Sequence, residues 1–319
     1  MYMLHRAPEL FPGASFAVAH CNFRLRGEES DGDEAFVRQA CRELGMECFV
    51  RSFDTAGYAA GHGISVEMAA RELRYGWFRS LCAERGFDAI ATAHNANDNA
   101  ETLILNLLRG SGTRGLRGIP TGTVCADGAA LGAEAERAEA SEALPTALPK
   151  LLRPLLQTTR DEIRDWMISH GYSWREDSTN ALNDARRNKI RNQAFPIFAE
   201  INPSFIKTLG EDAARIRQTD DIADDYFRDA SSHILKQSSG AILDISVPAL
   251  LEYRHWRYIL WRLLEDCSFS AETFDKLCTL LERYRTEPLG TVTLSGKTFQ
   301  SPTHILSARR KSLILLPRR

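Results

Sequence analysis

Along the first hundred residues the apolar positions switch between two periods. Residues 14–22, SFAVAHCNF, form a short apolar run that reads as a buried strand. Asp33–Leu44 takes up helical spacing, with Phe36, Val37, Ala40 and Leu44 on one face and Gly45 as the stop. Glu47–Phe53 reads as a second strand and Asp88–Ala93 as a third. Between them, Ser65–Arg85 predicts a long helix with the stripe Val66, Ala69, Ala70, Leu73, Trp77, Phe78 and Leu81, ended by Gly86. Asp98–Arg109 predicts a helix closed by Gly110, and Met1–Ala7 looks like the tail of another. Strands alternating with helices predict an α/β domain, a doubly wound parallel sheet covered on both faces.

The pattern lapses over 121–149, where Ala, Glu and Gly accumulate without periodicity; this reads as a loose insertion. Regularity resumes at Lys150. Thr159–His170 predicts a helix opened by a capping box, Thr159 with Glu162. Residues 171–192 are polar and irregular and run into a helix toward Glu200, and Asn202-Pro203 marks a boundary. Ser204–Gln237, Leu250–Asp266 and Ala271–Arg283 then predict helices. TVTL (291–294), THILS (303–307) and LILL (313–316) read as short strands around a turn at Gly296. The expected domains are 1–203, and 204–319 as a helical domain with a small β element at its end.

Composition narrows the class. The 319 residues are 44% hydrophobic and 26% charged, as in ordinary soluble globular proteins. A formal net charge of −2 argues against a wholesale polyanion binder, since non-specific nucleic-acid affinity comes from neutralising phosphates. RNA contact would have to come from local patches. Arg186-Arg187-Asn188-Lys189-Ile190-Arg191 is one, and Arg309-Arg310-Lys311 with Arg318-Arg319 is another; either reads equally as a solvated basic face. The seven cysteines are odd in number and show no C-x-x-C spacing, which argues against a disulfide framework or a structural zinc site. That usage suits a reducing cytosol. No apolar run approaches the ~20 residues that span a membrane, and the start lacks a secretory signal pattern. The expectation is a cytoplasmic protein with no membrane partner.

Four polar blocks carry candidate chemistry. Ala19–Asp31, AHCNFRLRGEESD, lies at the carboxyl end of a strand, where open α/β sheets bind ligands. There Arg24 and Arg26 can face phosphates and His20 can border a base, although a polar capping turn needs no ligand. In the second block, Arg71 and Arg74 share a helix face and can clamp a polyphosphate. An i,i+4 pair of Glu67 with Arg71 explains the same residues. In AHNANDNAET (93–102), Asp98 and Glu101 either form an N-terminal capping pair or place two carboxylates at a cleft, to hold an amine, position Mg²⁺ or act as base. EDSTN (176–180) followed by RNKIR (187–191) is an RNA-facing element or a solvated loop.

Together and in this order the blocks resemble the tRNA(Ile)-lysidine synthetase family of N-type ATP pyrophosphatases. AHCNFRLRGEESD, SVEMAARELRY (65–75), AHNANDNAETLILNLLRGSGTRGLRGI (93–119), RPLL (153–156) and DSTN…RRNKIR…INP (177–203) carry the match, with SGKTFQSPTH (295–304) less specific. The resemblance implies an adenine nucleotide alpha hydrolase-like fold. It implies ATP-dependent adenylation of C2 of the wobble cytidine in tRNA(Ile) with anticodon CAU, then displacement of AMP by free L-lysine. Arg71 and Arg74 would counter pyrophosphate together with Mg²⁺. Asp98 and Glu101 would hold the lysine ammonium and take its proton. His20, Arg24, Arg26 and His94 would border ATP, and Arg187, Asn188 and Arg191 would touch tRNA. No residue is assigned as a resident metal ligand, and a homodimer is one assembly the resemblance implies.

The chain departs from the family pattern in two places. The phosphate loop S-G-G-x-D-S is absent, and with it the central first strand of the sheet. The expectation is that this segment lies upstream of Met1, and that the polypeptide starting at Met1 is inactive without it. The family's acidic pair also reads here as Asn97-Asp98, with Asn99 in place of Gln. Two alternatives stand beside the ligase: a non-catalytic tRNA-binding fragment or pseudoenzyme of the same fold, and a tRNA thiolase. The lack of C-x-x-C counts against the latter.

Overall fold

The computed structural model describes residues 1–124, 148–176, 186–237, 241–288 and 291–318. Most of the expected insertion at 121–149 and the DSTN turn lie outside the described residues. Two compact units are present, Met1–Arg217 and Gln218–Arg319.

The first unit opens with α1 (Tyr2–Leu10), β1 (Ala17–Asn22), α2 (Glu28–Glu43) and β2 (Glu47–Ser52). It continues with α3 (Thr55–His62), α4 (Val66–Arg85), β3 (Ala89–Ala91) and α5 (Ala96–Arg109). Local chemistry sets the ends. Gly45, at φ +65°, closes α2 in a Schellman turn: Met46 N–H donates to Cys41 O at 2.8 Å and Gly45 N–H to Arg42 O at 3.2 Å. Ser65 caps α4 by accepting from Met68 N–H at 3.2 Å. Helix α3 has no counterpart in the sequence reading, because TAGYAAGH offers no apolar stripe; Asp54 and the left-handed Gly63 delimit it.

Two of the three strand pairs described in this unit are parallel. β1 runs parallel to β2, from Ala17 opposite Glu47 to Asn22 opposite Ser52. β4 (Gly122–Val124) lies antiparallel to β5 (Lys150–Leu152), and β5 pairs parallel with β3. The strands thus form two separate ladders, and among the described residues β1 and β3 each pair along one edge. Ala17–Cys21 are accordingly half-buried, whereas a parallel ladder is normally covered on both faces.

The unit continues through α6 (Arg160–Ser169), α7 (Arg186–Lys189), a π-turn at Ile190–Ala194, α8 (Phe195–Ile201) and the start of α9 (Phe205–Ile234). The predicted capping box of α6 is present, Thr159 with Glu162. Lys207 donates to Glu162 at 2.7 Å; this bond and those from Thr159 pull the carboxyl down to about 2. Ile190 and Phe195 pack on Ala96, Ala100 and Leu105, so the π-turn and α8 are fastened against α5.

The second unit contains the end of α9, then β6 (Leu243–Ser246), α10 (Val247–Glu252), α11 (Trp256–Leu264) and α12 (Ala271–Thr286). It ends with β7 (Lys297–Gln300), β8 (His304–Ala308) and β9 (Ser312–Pro317). These strands form one antiparallel sheet in the order β6-β9-β8-β7. The single helix expected over 250–266 is two, because the backbone turns extended at Tyr253. TVTL is not a strand: Leu294 is buried as a plug and its carbonyl accepts from Lys297 N–H at 3.2 Å, which turns the chain into β7. Ile245, Leu250, Ile259, Leu281, Leu306 and Leu315 are fully buried between sheet and helices. Arg262 is buried too. It donates to Asp224 at 2.5 Å and Tyr258 Oη at 2.8 Å and lies over the Phe227 ring, which offsets the cost of removing its charge from water.

Candidate active site

The carboxyl end of β3 leads through His94 into α5. Asn95 is the N-cap and forms a capping box with Asp98, with N···O distances of 3.0 and 3.1 Å. Asp98 therefore pairs with Asn95 and not with Glu101, correcting the capping pair expected from sequence. His94 Nδ1 lies 2.9 Å from Thr92 Oγ1. Four charged side chains act electrostatically on this imidazole: Asp98 from α5, Arg71 from α4, Arg187 from α7 and Arg153 just beyond β5. Burial, opposed by Asp98 and reinforced by the three guanidiniums, lowers the His94 pKa. A neutral imidazole beside a carboxylate and three arginines is suited to an anionic ligand that must also exchange a proton.

The other predicted residues fall into distinct arrangements. Glu101 is 0% exposed and takes both guanidinium arms of Arg191, at 2.7 and 3.1 Å. The expected lysine-facing carboxylate and the expected tRNA-facing arginine are thus partners. Arg187 donates to Thr102 Oγ1 at 3.2 Å, and that hydroxyl donates to Asp98 O at 2.9 Å. Asn188 is half-buried on α7.

At the end of β1, buried Asn22 donates to Asp31 at 2.9 Å and Glu34 at 3.0 Å, and its oxygen accepts from Arg24 N–H. Arg24 is exposed and left-handed, at φ +53°. Arg26 is held by Glu29 at 2.9 Å and by Asp33 at 2.8 Å; Arg175 binds the other Asp33 oxygen at 2.6 Å. The His20 pKa is lowered by burial, against the pull of Glu34 and Asp33. Arg74 lies over the Phe23 ring and hydrogen-bonds the Cys21 thiol, yet burial pushes that thiol up to about 11. Cys21 is therefore a poor nucleophile at neutral pH.

Both asparagines that depart from the family pattern have structural tasks. Asn97 Oδ1 accepts from Arg160 N–H at 2.9 Å, tying α5 to α6. Asn99 Oδ1 accepts from Ile119 N–H at 2.6 Å, and a Cβ on Gly118 would approach that oxygen to 2.4 Å. With φ at +71° as well, position 118 requires glycine. Arg153 was missed as a site residue. It is 2% exposed, and its Nη1 donates to Pro120 O at 2.8 Å. An arginine directly after a strand was the available signal in RPLL. Among the described residues no three potential ligands gather to hold a metal ion.

Protonation should oppose folding at this site. His5, His20 and His94 all have pKa values lowered chiefly by burial. Between the lowered folded values and the ordinary ~6.5, the unfolded chain binds more protons, so stability rises with pH. The urea midpoint should fall between about pH 7.5 and 5.5, and His94→Asn with His20→Asn should flatten the fall. An unchanged slope in the double variant would count against this linkage.

Both parts of the chain match families of known proteins. Residues 1–198 match the PP-loop domain family, and residues 237–318 match the TilS substrate binding domain. The tRNA(Ile)-lysidine synthase of Porphyromonas gingivalis W83 is 35% identical over 305 residues, covering 96% of this chain and 59% of that protein. That of Chlorobaculum tepidum is 35% identical over 282 residues, covering 86% of this chain and 77% of the relative. The chain thus spans less than two thirds of the length of the Porphyromonas relative. The U34-tRNA thiolase NcsA of Methanococcus maripaludis, solved with its [4Fe-4S] cluster, aligns with a TM-score of 0.49 at 15% identity over 67% of each chain. With its PP-loop domain and its likeness to the Chlorobaculum protein, the chain belongs to the tRNA(Ile)-lysidine synthase family.

Proposed function

We propose that this chain acts in joining L-lysine to C2 of the wobble cytidine of tRNA(Ile) with anticodon CAU, at the expense of ATP. The observation that carries the reading is the gathering of Arg71, Arg153, Arg187, Asp98 and His94 at the carboxyl end of β3. In the first step the cytidine O2 attacks the α-phosphorus of ATP and pyrophosphate leaves. In the second, the lysine amine attacks C2, AMP leaves and the amine loses a proton. Arg71, Arg153 and Arg187 counter the phosphate charge, with Arg74 on the same face of α4. Asp98 faces the lysine ammonium, and neutral His94 can accept a proton next to it. Glu101 acts through Arg191, which it holds against α5. His20, Arg24 and Arg26 shape the nucleotide side at the end of β1. Arg187 and Asn188 form the tRNA side of the cluster, and Arg191, expected from the sequence to join them, supports it from its pairing with Glu101. Mg²⁺ would be carried by the nucleotide's phosphates, since the described residues build no cage for it. A homodimer and a cytoplasmic location complete the reading.

The test is a labelled-lysine assay on the full-length protein with ATP and a CAU-anticodon transcript. Label in the RNA, with one AMP released per lysine, is the expected result. Adenylated RNA without lysine would mean that another nucleophile is used. No covalent change to an RNA that binds would leave a tRNA-binding protein of the same fold.

A further inference from the structure

The basic block around α7 divides into two faces. Arg187, itself exposed, donates to Thr102, and Arg191 donates to buried Glu101. Arg186 and Lys189 lie three residues apart, on one helical face, and both are exposed. Neither makes a hydrogen bond or ion pair among the described residues. Gln193 continues the stripe, exposed, and the first carboxylate along it is Glu200. Several other cations of this unit are paired with carboxylates: Arg164 with Asp161, Arg175 with Asp33, Lys207 with Glu162 and Arg215 with Asp212. In a chain of net charge −2, two neighbouring cations without counter-charge among the described residues mark a local attractor for a polyanion.

The position of the stripe says which polyanion. Arg187, the neighbour of Arg186, donates to Thr102 Oγ1, which donates to Asp98 O at the start of α5, so the stripe adjoins the place where the reacting base would sit. We propose that Arg186 and Lys189 grip two backbone phosphates of the RNA whose base enters the His94 cluster. This rests on the tRNA reading above and differs from the sequence assignment of Arg191, which the fold spends on Glu101. The arginine fork suits bidentate phosphate contact and the lysine a point-charge contact; neither reads sequence.

The test is a salt series of fluorescence-anisotropy titrations with a CAU-anticodon tRNA transcript, on the chain and on Arg186→Gln and Lys189→Gln. Each variant should weaken binding roughly fivefold to eightfold at about 0.1 M salt and lower the log–log salt slope by about 0.7–0.9. Thermal midpoints should not move, since both side chains are exposed. Binding with unchanged slopes in both variants would overturn the inference and leave the tRNA reading intact. Failure of the parent chain to bind the transcript would overturn both.

Discussion

Replacing Arg191 with methionine is expected to cost about 3–5 kcal/mol of stability, because it strands a carboxylate that is out of contact with water. Glu101 is 0% exposed, and both of its oxygens are held by that one guanidinium. In a unit of this size each kcal/mol moves the thermal midpoint by roughly 2–4 °C, so the loss should be plain in a melt. Glu101→Gln should cost less, since an amide keeps the shape and one acceptor while Arg191 keeps partial access to water. The double variant, Arg191→Met with Glu101→Gln, should recover part of the Arg191 loss. A double-mutant cycle of chemical denaturation measures that coupling. Additive effects would mean that the pair does not act as one unit. The pair also joins the π-turn to the helix that carries Asp98, so any lysine binding should weaken in Arg191→Met without loss of a ligand-facing group.

In the second unit, Leu315→Ala is expected to cost about 2–5 kcal/mol. Leu315 lies on β9, an interior strand of the sheet, opposite Leu243 on β6 and Leu306 on β8, and all of its side chain is buried. Truncation removes apolar burial and leaves a cavity where three strands meet, with no exposed neighbour able to collapse into it. Hydrogen exchange should show protection falling across β6, β8 and β9. Protection that stays at the parent level would mean that the core of this unit repacks around the gap.

Much of the fold was legible along the chain because it is set by local chemistry. The strand at 17–22, the helices at 66–85 and 96–109 and the capping box at Thr159 depend on apolar spacing, caps and glycine stops within a few residues of one another. Elements without such signals were missed. Helix α3 has glycine and alanine where a stripe should be, and β7 follows a buried leucine that imitated a strand. The candidate site was legible as blocks but not as pairings. Side-chain spacing places Asp98 beside Glu101 on one helix face; it does not reveal that Asn95 takes the first and Arg191 the second. Arg26 illustrates the same limit. A basic residue at a strand end is a phosphate candidate until α2 supplies Glu29 and Asp33 around it.

By itself, then, the sequence determined the order of α/β elements, the kinship of the chain and the small set of polar side chains at strand ends. These follow from periodicity and from motifs that are contiguous. Only the tertiary structure decided which cations are already spent. Burial makes an unpaired charge expensive, so the fold matches Arg191 to Glu101, Arg26 to Asp33 and Arg262 to Asp224 across separations of up to ninety residues. Arg186 and Lys189, exposed and without a counter-charge among the described residues, are where a ligand's charge can still be answered.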